Sequence, residues 1–316
     1  MSDYGIPYMG SKAKIAPSLC MMLPKAEHFY DLFGGGFSMT HCMLKRFPHK
    51  YDHFHYNEIK SDVVDLVKRA INSEFNYDVF KPAWVSREDF FAKKDSDAYI
   101  RCVWSFGNNQ KGYLFGDIEA EKRSAHQAVV FGEFDEFAIS ILGFDKWPSS
   151  VKTIKQKRLY WRQKVIFVSN KMKKGLQRLQ KLQQLERLQQ LLQLQQLEQL
   201  ERLQQLQQLE QLERLSFYSD DYRNINILPN SVVYCDIPYI GTADYQKSFN
   251  HKDFFDWASS RDFPVYISEY DVSDDRFKKV YAIDKHSSLS NCLANKTIKS
   301  ENLYWNGVKN EKRRVS

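Results

Sequence analysis

The segment at residues 232–239 has the sequence Val232-Val233-Tyr234-Cys235-Asp236-Ile237-Pro238-Tyr239. Its first half is apolar and rich in β-branched and aromatic residues, which is typical of a buried parallel strand. Its second half places an acid, a proline and a ring where that strand would end, and a proline cannot continue a central strand. Ligands of open α/β sheets bind at this end of the strands. The segment therefore predicts either a site for a planar, amino-bearing substrate such as a nucleobase, or an ordinary turn without a ligand.

The composition is that of a globular protein that can bury a substantial core. The chain has 316 residues, of which 43% are hydrophobic, so it is long enough for one large domain or two modest ones. Its formal net charge is +7 and its pI is about 8.9, a moderate excess that is compatible with a polyanionic partner. The 18 tyrosines and 22 phenylalanines suit base stacking, but they suit an aromatic core equally well.

The cysteine pattern and the amino terminus bear on the cellular compartment. The five cysteines are widely spaced and never form a C-x-x-C pair, which argues against a disulfide framework and against a zinc site. They are Cys20, Cys42, Cys102, Cys235 and Cys292. Residues 1–16 contain no apolar signal-peptide core, and no later run has the length of a membrane span. We therefore expect a cytoplasmic protein that binds no metal and has no membrane partner.

The first 75 residues alternate strand and helix in the manner of nucleotide-binding α/β folds. We predict a strand over residues 27–33, a glycine turn at Gly34-Gly35-Gly36, a helix over residues 37–47 and a second strand over residues 53–56. In such a unit the chain passes close to a bound nucleotide at the glycine turn. Glu58 follows the second strand at about the spacing where an acid holds a ribose. The three glycines do not match G-x-G-x-x-G, so a turn without a ligand stays an alternative.

A short segment ahead of this unit, Tyr8-Met9-Gly10-Ser11-Lys12, combines a ring, a glycine and a cation. The ring of Tyr8 and the ammonium of Lys12 suit one ligand that has a flat part and an anionic part. A basic start to the following helix explains the segment equally well.

Between residues 76 and 174 the alternation is lost, and aromatic, amide and basic residues accumulate. Such residues make base-edge and phosphate contacts in nucleic-acid complexes. The candidate DNA-binding residues are Asn108, Asn109, Lys111, Tyr113 and Arg123. Further basic residues follow at Lys152, Lys155, Lys157, Arg158, Arg162 and Lys164. We predict an inserted recognition domain here, with a solvated basic surface over an ordinary subdomain as the alternative.

Residues 175–215 form a low-complexity segment with leucine at every third position. On an α-helix a step of three residues falls about 60° short of a turn, so these leucines should spiral around the helix without forming a heptad seam. The residue types favour helix, and a continuous helix would extend about 60 Å. We interpret the segment as a helical arm that lengthens a tolerated loop and is dispensable for the chemistry, with a coiled-coil partner as the alternative.

Four segments, in this order, resemble the alpha-group DNA adenine methyltransferases, the family of the adenine methylase Dam. They are Tyr8-Met9-Gly10-Ser11-Lys12, Asp31-Leu32-Phe33-Gly34-Gly35-Gly36, Asn57-Glu58 and Asp236-Ile237-Pro238-Tyr239. The resemblance implies an α/β fold with a Rossmann-like methyltransferase sheet, and S-adenosylmethionine as the methyl donor. It also implies three parts: a split catalytic domain at residues 1–75 and 216–316, a mostly helical target-recognition domain at 76–174, and a long helical Leu/Gln repeat at 175–215.

The resemblance also assigns roles to individual residues. It places the donor beside Tyr8, Lys12, Asp31, Phe33, Gly34, Gly36, Glu58 and Asp236. It makes the acidic tip catalytic, through Asp236, Ile237, Pro238 and Tyr239. The family's usual tip is Asp-Pro-Pro-Tyr, and this chain has Ile237 in place of the first proline. Isoleucine keeps the backbone carbonyl that this position is expected to contribute, although the turn loses some rigidity.

The implied activity is site-specific methylation of the N6 amino group of a flipped-out adenine in double-stranded DNA. The Asp236 carboxylate and the Ile237 carbonyl would hold the two amino hydrogens and direct the nitrogen lone pair toward the donor methyl, while Tyr239 stacks on the base. Direct displacement then depends mainly on positioning and needs no covalent intermediate. The expected partners are double-stranded DNA and, in some systems, a cognate restriction nuclease, in a bacterial cell or a phage-infected host.

Two other interpretations remain open from the sequence. An amino methyltransferase that acts on RNA or on a protein glutamine would use the same acid, carbonyl and ring. A non-catalytic protein that binds DNA or forms a coiled coil would fail to bind the donor. A cytosine ring-carbon methyltransferase is disfavoured because it needs a nucleophilic cysteine after a proline, whereas Cys235 lies inside the predicted strand.

Overall fold

The computed structural model describes residues 4–76, 80–173, 194–210, 212–240, 249–285 and 299–310. The chain divides into two compact units. The first comprises Met1–Ile6, Gly10–Lys68 and Gln208–Ser316, and the second comprises Pro7–Met9 and Arg69–Gln207. Within the described ranges, no helix is both long enough and apolar enough to cross a membrane.

The first unit is built on a mixed sheet of seven strands in the order β3-β2-β1-β4-β5-β7-β6. The strands are β1 His28–Asp31, β2 His53–Asn57, β3 Leu215–Tyr218, β4 Ser231–Cys235, β5 Val265–Glu269, β6 Lys278–Lys285 and β7 Lys299–Trp305. The first five pair in parallel, whereas β7 runs antiparallel to both β5 and β6. The expected α/β class is confirmed at this level.

Strands β1 and β4 lie side by side at the point where the strand order reverses. Every residue of both strands is buried, as expected for strands covered on both faces. Asp31 pairs in register with Tyr234, and the Leu32 N–H donates to the Tyr234 carbonyl over 3.0 Å. Ligands of doubly wound sheets bind at the carboxyl ends of the strands at such a reversal. The fold therefore brings the glycine turn after β1 and the acidic tip after β4 to one edge.

Ten α-helices lie within the described residues, and four of them begin at a residue whose side chain caps them. In chain order they are α1 Ala16–Met22, α2 Ser38–Arg46, α3 Ser61–Ile71, α4 Arg87–Lys93, α5 Ala98–Val103, α6 Glu119–His126, α7 Glu136–Leu142, α8 Ile154–Lys173, α9 Gln195–Gln204 and α10 His251–Ser259. The side chains of Ser86, Asp97, Asp135 and Asn250 each accept a hydrogen bond from a backbone N–H in the first turn of α4, α5, α7 and α10, respectively. Each such cap contributes about 1 kcal/mol.

The core beneath the central strands of the first unit is strongly aromatic. Val233 and Ile267 from β4 and β5 are fully buried against Phe254 of α10. The same cluster contains Tyr30 and Tyr222, and burying an aromatic or aliphatic side chain of this size stabilises the fold by roughly 1.5–3 kcal/mol. The tyrosine and phenylalanine side chains of this cluster, which the sequence left ambiguous between core and stacking, therefore need no ligand to explain them.

The second unit is helical in its described part. A π-helical turn, Gln127–Phe131, extends α6 and ends at Gly132, whose φ of 75° is in the left-handed region that glycine tolerates. Its core gathers Trp161 and Val165 of α8 with Leu142 at the end of α7. Leu194 and Leu197, from the leucine repeat, complete the same cluster.

The described part of the repeat differs from a free arm. Leu197, Leu200, Leu203 and Leu206 are all fully buried. Helix α9 carries Leu197, Leu200 and Leu203, and each step of three residues shifts the position around an α-helix by about 60°, so these three leucines span about 120° of its circumference. A spacing that spirals around a long α-helix can therefore keep three successive leucines on one buried side, and Leu206 follows in the 3₁₀-helix Gln205–Gln208. Residues 174–193 and 211 lie outside the described residues.

A polar contact also ties the repeat to the second unit. The Gln196 side chain donates to Nδ1 of His126 over 3.2 Å, and Nε2 of His126 donates to the Pro82 carbonyl over 2.8 Å. Burial lowers the pKa of His126 to about 4, so the ring is neutral in this arrangement. Residues 194–209 therefore form part of a packed core. That the repeat at residues 175–215 is dispensable for the chemistry stays a prediction.

Candidate active site

The glycine turn is shaped by contacts within the protein. A Cβ atom on Gly34 would lie 2.3 Å from the ring of Tyr56, and the Tyr56 hydroxyl donates to the Gly35 carbonyl over 2.7 Å. A Cβ atom on Gly5 would lie 2.3 Å from the Gly36 carbonyl oxygen, which accepts the Ile6 N–H over 2.8 Å. Close packing alone thus requires glycine at the turn, and this packing fixes the backbone beside the acidic tip.

Glu58 holds this turn from the end of β2. One of its carboxylate oxygens accepts the Gly35 N–H over 3.0 Å, and the other accepts the Lys60 N–H over 3.1 Å. Burial raises the pKa of Glu58, and the two backbone N–H groups partly offset that effect. Glu58 therefore orders the glycine turn, and this structural role is additional to its expected role in binding the donor ribose.

Asp31 is a buried carboxyl with spare acceptor capacity. Oδ2 accepts a hydrogen bond from the Thr40 hydroxyl over 2.8 Å, while Oδ1 has no hydrogen-bond partner among the described residues. Burial raises the pKa of Asp31 to about 7, and the nearby Asp236 carboxylate adds to the shift. A cationic or amino-bearing ligand at this edge would find an unsatisfied acceptor here.

Phe33 lies at the same edge, but its ring packs into the aromatic core. It contacts Tyr222, Phe254 and Phe249, with ring centroids 5.2, 5.6 and 5.7 Å away. The ring is only partly buried, so one part of it remains available at the edge. The contacts show that Phe33 supports the fold whether or not it also lines the donor pocket.

The acidic tip is joined to the amino-terminal segment by a buried ion cluster. Nζ of Lys12 lies 2.7 Å from Oδ1 of Asp236 and 3.4 Å from Oε1 of Glu301. The same ammonium lies over the Tyr239 ring, 4.5 Å from its centroid, and the Tyr239 hydroxyl donates to Glu301. Lys12 is 3% exposed and Glu301 is fully buried. The catalytic acid and ring predicted from the sequence thus share one cation.

The electrostatics of this cluster favour the charged lysine. Burial opposes the charged form of Lys12, but the Asp236 and Glu301 carboxylates together outweigh it and raise the pKa of Lys12. The sequence suggested that Lys12 contacts the donor, whereas here its ammonium contacts the acid and ring of the tip. Lys12 therefore links the amino-terminal segment, which was predicted to bind the donor, to the catalytic tip.

A second carboxyl supports the chain just after the tip. Glu269, at the end of β5, accepts the Ile240 N–H over 3.2 Å and the Tyr270 N–H over 2.7 Å. Burial raises the pKa of Glu269 to about 7. The Tyr270 ring meets the Tyr239 ring edge-on, with centroids 4.5 Å apart. These contacts and the bond from His251 Nε2 to the Pro238 carbonyl, 2.6 Å long, fix the path of the tip.

Two of these residues were not among the sequence candidates. Glu269 has a signal in the sequence, since it directly follows the run Val265-Tyr266-Ile267-Ser268, which is rich in β-branched and aromatic residues. Glu301 carries a weaker signal, since it is an acid on the same side of its strand as the fully buried Leu303. An acid at an inward strand position is costly unless it is paired, and this is the pattern that could have revealed it.

Tyr8 and the predicted DNA-binding residues group with the second unit. Tyr8 is partly buried. Lys111 and Arg123 are exposed, and Asn108 is partly buried. The Asn109 side chain accepts the Lys111 and Gly112 N–H groups over 2.9 and 3.0 Å, so its carbonyl oxygen serves to close a turn.

Tyr113 has a structural position that sequence reasoning did not anticipate. It is 6% exposed, and its hydroxyl donates to the Val85 carbonyl over 2.6 Å. Burial raises its pKa, and the Arg87 guanidinium lies over its ring. An isolated antiparallel bridge pairs Ser105 with Tyr113. Tyr113 therefore holds the turn at residues 106–112 from its buried side.

Comparison with known proteins assigns this arrangement to a family. No curated protein was found to match the chain. The sequence does match the family described as D12 class N6 adenine-specific DNA methyltransferase over residues 8–307. That match includes every candidate site residue from Tyr8 to Tyr239 and also Glu301. The enzymes of this family methylate N6 of adenine in DNA with S-adenosylmethionine. The chain belongs to the D12 class N6 adenine-specific DNA methyltransferases, the Dam-like family.

Proposed function

We propose that this enzyme methylates adenine at a specific sequence in double-stranded DNA, with the base flipped into the site formed at the edge of β1 and β4. The observation that carries this proposal is that Asp236 and the glycine turn follow adjacent parallel strands. Asp236 contributes electrostatically to Asp31, which directly precedes the turn. Methyl transfer requires the donor and the base to lie next to each other. A fold that separated the glycine turn from Asp236 would have kept the two substrates apart.

The proposed chemistry rests on acceptors for the amino hydrogens. The nitrogen lone pair of an adenine amino group is delocalised into the ring, so the amine is a weak nucleophile. The Asp236 carboxylate and the Ile237 carbonyl would hold its two hydrogens and reduce that conjugation. A carboxylate offers about four lone-pair sites, so its contact with Lys12 is compatible with accepting an amino hydrogen. Tyr239 would stack on the extruded base and offset part of the cost of flipping it.

We propose that the donor occupies the glycine-turn side of this edge. The donor would supply a methyl group on a cationic sulfonium. The amino nitrogen would attack the methyl carbon as the carbon–sulfur bond breaks, and the proton of the nitrogen would pass to water. Asp31, Gly34, Gly36, Glu58 and part of Phe33 would form the pocket wall. A group of carboxyls with Lys12 as the cation at its centre fits a donor of net positive charge. Tyr8 remains a candidate for the donor.

We propose that residues 1–75 and 216–316 form the catalytic domain and that the intervening block recognises DNA. Asn108, Lys111 and Arg123 would contact DNA directly, whereas Tyr113 and the Asn109 carbonyl would support the turn. Helix α8 offers a further surface, since it carries no acidic residue. Its exposed cations are Lys155 and Arg162, whereas Arg158 pairs with Glu201 over 2.9 Å. Exposed, unneutralised cations suit phosphate contacts.

One experiment tests the proposed activity and its target together. The gene is expressed in a host that lacks adenine methylation, and the host genome is read by long-read sequencing that detects N6-methyladenine. We expect modification at one short sequence, and none in cells expressing Asp236→Ala. Scattered or absent modification with a well-folded protein would contradict site specificity. A parallel assay with tritiated donor on DNA, RNA and protein would reveal an RNA or glutamine substrate.

The same host indicates whether a partner nuclease matters. An enzyme paired with a nuclease should protect its own sequence from cleavage by an enzyme of that specificity. A solitary enzyme would modify the same sequence without a nuclease gene beside it. The genomic neighbourhood and the modified sequence together distinguish the two arrangements.

A further inference from the structure

Glu301 is a buried carboxylate that contacts two residues of the proposed base pocket. It belongs to β7, and its side chain has no exposed surface. Its Oε1 lies 3.4 Å from Nζ of Lys12 and accepts the hydroxyl hydrogen of Tyr239. Glu301 thus contacts both the cation beside the acid and the ring that would stack on the base.

Burying this carboxylate has a cost that the fold alone does not require. Moving an ionised carboxylate out of water costs several kcal/mol, and a buried ion pair seldom stabilises a fold more than apolar residues of the same size would. The neighbouring inward residue of β7, Leu303, is apolar and fully buried. A glutamate at position 301 is therefore better explained by what it does to Lys12 and Tyr239 than by the stability of β7.

We propose that Glu301 is a positioning residue for methyl transfer, which orients the Tyr239 ring and shares the charge of Lys12 with Asp236. This inference rests on the proposed roles of Asp236 and Tyr239 in holding the base. Glu301 itself does not contact the reacting atoms in this account. It acts through the two residues that do.

The proposed effect on the ring follows from its contacts. The Tyr239 hydroxyl is held by Glu301, and the ring edge meets Tyr270 at an interplanar angle of 78°. Two contacts at different points of the ring fix its plane, so a flipped base meets a face that is already oriented. Without the carboxylate, the ring loses one of these two contacts and keeps the Tyr270 contact and the cation of Lys12.

The proposed effect on the acid follows from charge. Lys12 lies 2.7 Å from Asp236, and with no second carboxylate its whole charge would be directed at that acid. A carboxylate fully neutralised by one ammonium is a poorer acceptor for amino hydrogens. Glu301 draws part of the lysine charge away, so Asp236 keeps its strength as an acceptor.

Three variants and one control test the proposal. Glu301→Ala removes both contacts, Glu301→Gln keeps an acceptor for Tyr239 but removes the charge, and Tyr239→Phe removes the hydroxyl but keeps the ring. Tyr304→Phe is the control, since it removes the hydroxyl bond to Asp271, 3.2 Å long, from the opposite face of the same strand. Each protein is compared on a duplex that carries the target sequence, with single-turnover rate, KM for the donor and thermal unfolding as readouts.

We expect a loss in rate with little change in donor binding. Glu301→Ala should lower the single-turnover rate by about 100-fold, the loss that a displacement of about 1 Å in a catalytic group can cause. Glu301→Gln and Tyr239→Phe should each lose about tenfold, and Tyr304→Phe should stay within about threefold of the wild type. With 2-aminopurine at the target position, fluorescence should be less quenched in Glu301→Ala, because the ring stacks on the flipped base less well.

Several results would overturn the proposal while leaving the proposed function intact. A folded Glu301→Ala enzyme with a wild-type rate would do so, and so would a loss confined to donor KM. If Glu301→Ala fails to fold, Tyr239→Phe decides, because a wild-type rate in that variant removes the role of the hydroxyl bond. Absence of methylation by the wild-type enzyme would instead refute the proposed function.

Discussion

Lys12 and Asp236 come from distant parts of the sequence and meet as a buried ion pair, with Nζ 2.7 Å from Oδ1. Replacing Lys12 by methionine would leave the buried Glu301 carboxylate and the partly buried Asp236 carboxylate without their cation. We expect Lys12→Met to lower the free energy of unfolding by about 3–5 kcal/mol at neutral pH, as for other buried pairs that lose one partner. The loss should shrink well above pH 10.5, because the pKa of Lys12 is raised on folding, so the wild-type contribution is present below the ordinary lysine pKa of 10.5 and is lost as the ammonium deprotonates.

Urea unfolding at the two pH values measures this effect. Lys278→Met serves as the control, since it removes an exposed lysine on β6. Equal destabilisation by Lys12→Met at both pH values would show that the cluster does not behave as a charged unit.

The raised pKa of Asp31 predicts how its contribution to stability changes with pH. A carboxyl whose pKa rises from 3.8 to about 7 on folding stabilises the native state fully below its ordinary pKa, and that contribution is lost as the pH rises through about 7. The effect amounts to about 4 kcal/mol for a shift of this size. Asp31→Asn, which can still accept from Thr40, should therefore gain stability relative to the wild type between about pH 5 and pH 8. Unfolding measured across that range checks the sign, and a difference that is flat with pH would contradict it.

Gly34 offers a test of the packing of the turn. A methyl group at this position would lie 2.3 Å from the buried Tyr56 ring, which is tethered through its hydroxyl to Gly35. We expect Gly34→Ala to lower the free energy of unfolding by about 1–3 kcal/mol, as for other overpacked sites. Gly116→Ala is the matched control, because nothing lies within 4 Å of the added methyl. Similar unfolding curves for the two variants would show that the turn adjusts freely.

The leucines of the repeat predict that its described part is needed for folding. Leu200→Ala and Leu203→Ala each empty a fully buried position and should each cost about 2–5 kcal/mol. Leu212→Ala, at a position that is 37% exposed, should change stability by no more than about 0.5 kcal/mol. Chemical denaturation of the three variants measures this directly. If all three behave alike, residues 194–209 are not the core element that their burial indicates.

Salt dependence distinguishes the cations of α8 that contact DNA. Lys155→Gln and Arg162→Gln should each reduce the slope of log K against log salt by about one, since each removes one phosphate contact. Arg158→Gln should change the slope less, because that guanidinium is paired with Glu201. Lys278→Gln lowers the net charge equally from β6 and serves as the control. Equal slopes for all four variants would place the DNA surface elsewhere.

The central strands of the sheet could be predicted because each has a local sequence pattern that is typical of a strand. The runs that became β1, β2 and β4 are rich in aromatic or β-branched residues and lead into polar residues, and the structure places strands there. The carboxyl ends of parallel strands meet at one edge, so the glycine turn and Asp236 could be brought together before any coordinates were known. The residues that surround Asp236 in space, such as Glu301, could not be predicted in this way, because their positions depend on the order of the strands in the sheet.

The residues that were missed lie where local pattern is a poor guide. Strand β3 begins at Leu215, the last leucine of the repeat, and was hidden by the repeat's helical composition. Strands β6 and β7 carry many charged and polar residues, and their antiparallel pairing places Glu301 inside the sheet. Tyr113 shows a different difficulty. It was predicted to bind DNA because it lies among amide and basic residues, and the structure places its side chain in the interior.

The position of β7 has a consequence for synthesis of the enzyme. The cluster around Lys12 needs a side chain from the start of the chain, one from β4 and one from β7, so it cannot assemble on the ribosome until residue 301 has emerged. A nascent polypeptide, or a product truncated within the repeat, carries the glycine turn but neither Asp236 nor Glu301. On the roles proposed for these two residues, methylation requires a chain that extends at least to residue 301.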